Sequence, residues 1–235
     1  MISISPTLGQ EDGADDVEKT YPTMKEIGED LVNILDVLRV KCVVGLAEGA
    51  GANAMLRFGA MHVSRCLGIV CINPNPAAAT LVGGFLDRLK NLRGGKPLTA
   101  QQKQMNQKNV QKLLEAFEAR SDILPVLEKS KCETMLLAGA KAEAHVKGID
   151  AIFGVCDKTK TSVMKIDGVF SILDEAPGKL ANAILLFTKG LGWLTSVDLP
   201  NVERRSSRDS TGGRRMSMEE YDTPNIRRLS LTGGN

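Results

Sequence analysis

The sequence has little of what most catalytic and membrane chains carry. Among its 235 residues are only two histidines, His62 and His145, so acid–base chemistry has few side chains to draw on. Aromatic residues make up 4 % of the chain against 43 % apolar residues in all, so any core is aliphatic and alanine-rich. No apolar run approaches the roughly 18 residues that a membrane-spanning helix needs. The opening "MISISPTLGQEDGADDVEK" is polar and acidic, with neither the basic start nor the apolar stretch of a secretory signal. No C-x-x-C occurs. The cysteines at 42, 66, 71, 132 and 156 are odd in number and are expected as reduced, mostly buried thiols. No metal or cofactor is implied. Charge of one sign is also missing from the body. Residues 1–200 hold 23 basic and 23 acidic residues, and the tail from Asn201 holds 7 Arg and 5 acidic residues, so nothing in the body marks a nucleic-acid surface.

What is present is a parallel α/β pattern. Residues 1–20 read as a disordered arm. Thr23 and Glu26 form a capping box, and Ile27, Leu31, Ile34 and Leu38 recur at helical spacing, predicting an amphipathic helix over 24–39. "CVVGL" (42–46), "GIVCIN" (68–73), "ETMLLAGA" (133–140) and "TSVMKI" (161–166) read as short buried strands. Helices are expected over 50–63, 143–154 and from Pro177, whose inner face would be Leu180, Ile184, Phe187 and Leu191. Residues 77–131 are too long for one crossover. They are expected as a small helical cap: one helix on Leu81, Phe85, Leu89 and Leu92, a break at "RGGKP", and another capped at Thr99 and running toward Leu114 and Phe117. Packing of this cap over the turn that follows the first strand is preferred to membrane association through residues 77–121. Continuous apolar strands separated by helices define a parallel sheet of about four strands covered on both faces. After 196 the composition changes, and residues 197–235, rich in Arg and Ser, are expected to be disordered.

The stretch "GLAEGAGANAML" (45–56) joins the first strand to a helix and admits two readings. Gly49-Ala-Gly51-Ala-Asn-Ala54 fits the G-x-G-x-x-A dinucleotide fingerprint. That reading needs an acid about 20 residues on for a ribose hydroxyl. Asn73 and Asn75 stand there instead, and Glu48 would repel a phosphate. The alternative is a nucleophile elbow, in which a strained nucleophile sits between two small residues because helix and strand nearly touch. Ala47 and Gly51 supply the small positions, and the slot between them is Gly49, which has no side chain to attack with.

The other members of a triad can be sought on the same frame. An acid belongs after the third strand, where Ala140 stands. Counting back from Glu175 and Pro177, the histidine slot is Phe170. Neither histidine lies where a base is needed, and without nucleophile or base, Asp167 and Asp174 have nothing to orient.

Several segments together resemble the N-myc downstream-regulated (NDRG) family of non-catalytic α/β-hydrolase-fold proteins. They are "YPTMKEIGEDL" (21–31), "VGLAEGAGANAMLRFGAMH" (44–62), "LGIVCINPNP" (67–76), "LLEAFEARSDIL" (113–124) and "LLFTKGLGWL" (185–194). The match covers most of residues 9–196, and the serine- and arginine-rich tail is also a family habit. The resemblance implies a cytoplasmic, non-enzymatic protein of stress, growth or differentiation signalling that works through protein partners. The family's G-D after the third strand is Gly139-Ala140 here. The resemblance also starts late: the family's first strands precede the helix that begins near Tyr21. The chain is therefore expected to be a short form with a partial α/β-hydrolase domain over 21–196, an exposed sheet edge at strand 42–46 and a tendency to self-associate. A cryptic hydrolase or a small-ligand-binding α/β protein is the alternative.

The tail holds R-R-x-S three times, ending at Ser207, Ser217 and Ser230. Basophilic kinases read paired arginines from extended segments, so these serines are candidate phosphorylation sites, and Thr223, before Pro224, is a proline-directed one. Kinases and phospho-readers are the partners this implies.

Overall fold

The structure is a computed structural model that describes residues 15–16, 20–76 and 106–194, all within the compact unit Met1–Leu199. Helix α1 spans Met24–Val37 and starts as its capping box predicts. The Thr23 hydroxyl accepts from the Glu26 amide at 3.2 Å, and the Glu26 carboxylate accepts from the Thr23 amide at 2.7 Å. Strand β1 (Val43–Glu48) leads through Gly49 into α2 (Ala50–Met61). A 3₁₀ turn over Val63–Arg65 precedes β2 (Cys66–Ile72).

Helix α3 (Gln107–Glu118) carries Leu114 and Phe117, but it is capped by Asn106, whose side chain accepts from the amides of Lys108 and Asn109. Leu114 and Phe117, toward which the helix from Thr99 is expected to run, thus lie on a helix with its own cap at Asn106. Next come the short α4 (Leu124–Leu127), β3 (Thr134–Gly139) and α5 (Glu143–Val155). The chain then forms β4 (Thr161–Ile166), the single turn α6 (Ile172–Glu175) and α7 (Pro177–Gly190), with Pro177 in its first turn. The expected helix on Leu81 to Leu92, the Thr99 cap and the tail from 195 lie outside the described residues. Of the expected arm, Asp15 and Asp16 are described. Asp16 meets Lys108 at 2.6 Å, and the Asp15 carbonyl accepts from Asn109.

The four strands form one parallel sheet in the order β1-β2-β3-β4. Side chains alternate across it with the two-residue period of a strand. Ile69, Cys71, Leu136 and Ala138 join the cluster with α1, α2 and α5, where Leu56, Phe58, Ile149 and Ile152 are buried. Val70, Ile72 and Leu137 face the other way, onto Ile172, Leu180 and Ala183 of α6 and α7. Ile184 and Phe187 pack at the margin of that second cluster, close to their expected roles. A third cluster joins Tyr21, Met24 and Ile27 to Val110, Leu114 and Phe117 of α3. Both faces are therefore covered, as a parallel sheet requires. Among the described residues, the outer side of β1 has no strand partner, and Leu46 there is half exposed.

Candidate functional site

The carboxyl ends of the strands bring the residues of interest to one rim of the sheet, where open α/β sheets hold their ligands. Gly49 follows β1, and its amide donates to the Ile72 carbonyl at 3.0 Å. Asn73 follows β2 and donates to Leu137 at 2.8 Å, and Ala140 follows β3 and donates to Ile166 at 2.9 Å. Gly49 and Ala140 thus end strands two apart in the sheet.

Gly49 adopts φ 59°, ψ −121°, a conformation that side-chain-bearing residues hold only under strain. It acts as the N-cap of α2 and makes no side-chain cap bond. Ala47 lies next to Gly51, where an added Cβ would come within 3.9 Å of the Ala47 Cβ. A side chain at Gly51 would thus make ordinary van der Waals contact with the strand across the turn.

Phe170 sits in the loop after β4, and this loop crosses the end of β3. A Cβ on Gly139 would lie 2.3 Å from the Val169 carbonyl oxygen and 2.6 Å from that of Phe170. Lys141 donates its amide to Val169 at 3.1 Å. The loop is fixed by Glu175, whose carboxylate accepts from the amides of Phe170 at 3.1 Å and Ser171 at 2.8 Å. The structure therefore brings Ala140 and Phe170 together through their loops. The Phe170 side chain is itself 44 % exposed. Asp174 is engaged by the Ser171 hydroxyl at 2.5 Å.

The histidines stand elsewhere. His62 caps the carboxyl end of α2, with its ring 5.9 Å from that of Phe58. His145 occupies the first turn of α5. Among the described residues, no group of His, Cys, Asp or Glu could hold a metal ion. Burial pushes the Cys71 thiol upward, so beneath the elbow it stays protonated. Ser207, Ser217, Thr223 and Ser230 lie outside the described residues.

A buried polar network supports the elbow helix, and sequence reasoning missed it. Arg57 donates from Nε to the Asn53 amide oxygen at 2.9 Å, from Nη1 to the Ser121 hydroxyl at 3.1 Å and from Nη2 to the Ser121 carbonyl. Asn53 in turn donates to the Asn75 carbonyl at 3.0 Å. The loop after β2, helix α2 and the turn before α4 are tied together. Burial lowers the Arg57 guanidinium, and burial with the nearby Arg57 charge pushes Arg120 down to about 10. The available signal was an Asn and an Arg four apart on the otherwise apolar helix "AGANAMLRFGAM". Asn73, noted in the sequence only as standing where a ribose-binding acid would be, is buried at φ 50° with neither side-chain atom hydrogen-bonded among the described residues.

A parallel sheet, a strand–glycine–helix turn at its rim and helices on both faces define an α/β-hydrolase-fold protein. The solved structures agree. A carboxylesterase of the thaumarchaeon Nitrososphaera gargenis superposes with a TM-score of 0.64 at 14 % identity, covering 80 % of this chain and 79 % of that one. MenH from S. aureus does so at 0.63 and 16 %, covering 79 % and 82 %. Within that fold the chain belongs to the Ndr family, whose profile matches residues 2–96 and 96–195. An uncharacterized Caenorhabditis elegans protein is 32 % identical over 95 % of this chain and 74 % of its own length. Protein NDRG1-A of Xenopus laevis is 28 % identical over 83 % of this chain, which spans only 58 % of that relative. Protein NDRG3 of the same frog is 26 % identical over 92 % of this chain and 68 % of its own length. Among the described residues no helix is long and apolar enough to cross a membrane.

Proposed function

We propose that this chain is a non-enzymatic signalling or adaptor protein of the Ndr family. In this reading it is cytoplasmic and acts through protein partners, with a phosphorylatable tail. The observation that carries the reading is Gly49. It holds the backbone conformation of a nucleophile elbow, φ 59°, ψ −121°, without a nucleophile. Ala140 and Phe170, where an acid and a base would stand, support it.

Short p-nitrophenyl esters test the claim. The expected result is no turnover above buffer, and none after Gly49→Ser, because a serine without base or acid stays protonated and inert. Turnover that copurifies with the protein and scales with its amount would establish the hydrolase reading instead.

The tail is read as a switch. Each phosphate adds about −1.5 to −2 charges, so three would carry the tail from +2 to roughly −3 or −4. Partners that hold a basic segment would release it, and arginine-lined phospho-readers would gain it. Incubation with a basophilic kinase, followed by phosphopeptide mass spectrometry, should show label at Ser207, Ser217 and Ser230. If all three stay unmodified while a control peptide is labelled, the tail is not a switch of this kind.

A further inference from the structure

Two of the five cysteines meet at the opposite end of the sheet from the elbow. Cys66 opens β2, and Cys132 lies two residues before β3 begins. Their sulfurs are 3.6 Å apart, the one sulfur–sulfur contact among the described residues, and all five thiols are free. Each of the two is 4 % exposed, but Cys132 directly follows the exposed Lys131. A disulfide needs the sulfurs about 1.5 Å closer, and the two cysteines stand at or just before the start of strands that pair directly in the sheet.

The two thiols are unequal. The Cys66 hydrogen bond and the nearby Lys160 ammonium hold the Cys132 thiol below its ordinary range, against burial and the Glu133 carboxylate. The pairing and burial push Cys66 up. Ionisation is thus favoured at Cys132 over Cys66, which assigns Cys132 the attacking role and Cys66 the resolving one.

We propose that Cys66 and Cys132 are a redox modification site, closing to an intramolecular disulfide when the protein meets a hydroperoxide. The Cys132 thiolate attacks the outer oxygen of the peroxide. An S–O bond forms as the O–O bond breaks, and the departing alkoxide (hydroxide, for hydrogen peroxide) takes up a proton to leave as alcohol or water. Cys132 is now a sulfenic acid. The Cys66 sulfur attacks it, the S–S bond forms as the S–O bond breaks, and hydroxide leaves with the Cys66 proton as water. Two thiols are oxidised by two electrons, and one peroxide is reduced by two. The new bond would join the amino ends of the two central strands.

The test uses the full chain, reduced, freed of reductant, exposed to hydrogen peroxide and quenched with an alkylating agent before denaturation. Peptide mass spectrometry should find a Cys66–Cys132 linked peptide in monomeric protein. Two of the five thiols should be lost to alkylation and restored by dithiothreitol. A Cys42→Ser/Cys156→Ser variant, lacking the two half-buried thiols, should form the same link. Cys132→Ser should leave Cys66 fully alkylatable after denaturation. Oxidation of Cys42 or Cys156 while Cys66 and Cys132 remain alkylatable overturns the proposal, as does a link that forms only in urea.

Discussion

A methyl group added at Gly139 would have nowhere to go. Its neighbours at 2.3 and 2.6 Å are the carbonyl oxygens of Val169 and Phe170, backbone atoms that yield only if the whole loop moves. Gly139→Ala is expected to destabilise the protein by roughly 1–3 kcal/mol, as overpacking does. Gly178→Ala in the first turn of α7 meets nothing within 4 Å and serves as the control. Urea denaturation should separate the two, with a lower midpoint for the first variant only. Gly49→Ser should behave like Gly139→Ala, because a side chain held at φ 59° costs about 1–3 kcal/mol. At this scale the sequence was partly readable. The strand–turn–helix around Gly49, between Ala47 and Gly51, was legible from its small residues. Asn53 and Arg57, four apart on α2, were a legible hint, but their partners Asn75 and Ser121 lie 22 and 64 residues away, and no local pattern reports such contacts.

The first helix offers a test of how an element is held in place. Thr23 and Glu26 satisfy amides that the first turn cannot pair internally. Thr23→Ala is expected to cost about 1 kcal/mol. Hydrogen bonds from the Thr23 amide and hydroxyl hold the Glu26 carboxyl below its ordinary value of 4.5. A carboxyl with a depressed folded-state value stabilises the protein above its unfolded value and loses that contribution as pH falls through the folded one. The wild type should therefore lose stability on acidification from about pH 5 downward more steeply than Thr23→Ala, as thermal melts across that range can show. Elements with a strong period were legible to within a few residues: α1, all four strands, α5 and the start of α7. Helices α4 and α6 are four residues each, shorter than the period that would reveal them. The Asn106 cap of α3 escaped notice because a single Asn in a polar run carries no periodic signal of its own.

At the scale of the whole molecule, the outer side of β1 bears on expected behaviour in solution. Among the described residues β1 pairs with β2 alone; an edge strand presents a row of backbone donors and acceptors, and Leu46 adds a half-exposed apolar side chain. Concentration-dependent self-association is expected. Light scattering coupled to gel filtration should show the apparent mass rising with loading, and Leu46→Lys should shift the population toward monomer. A single monomeric species over the whole concentration range would contradict this.

Strand order in the sheet repeats strand order in the chain, β1-β2-β3-β4. No strand has to be inserted between two that already pair. A chain leaving the ribosome amino end first can therefore build the sheet by accretion, each new strand docking on the one before it. A sheet assembled in that way would always carry its growing border on the most recently synthesised strand.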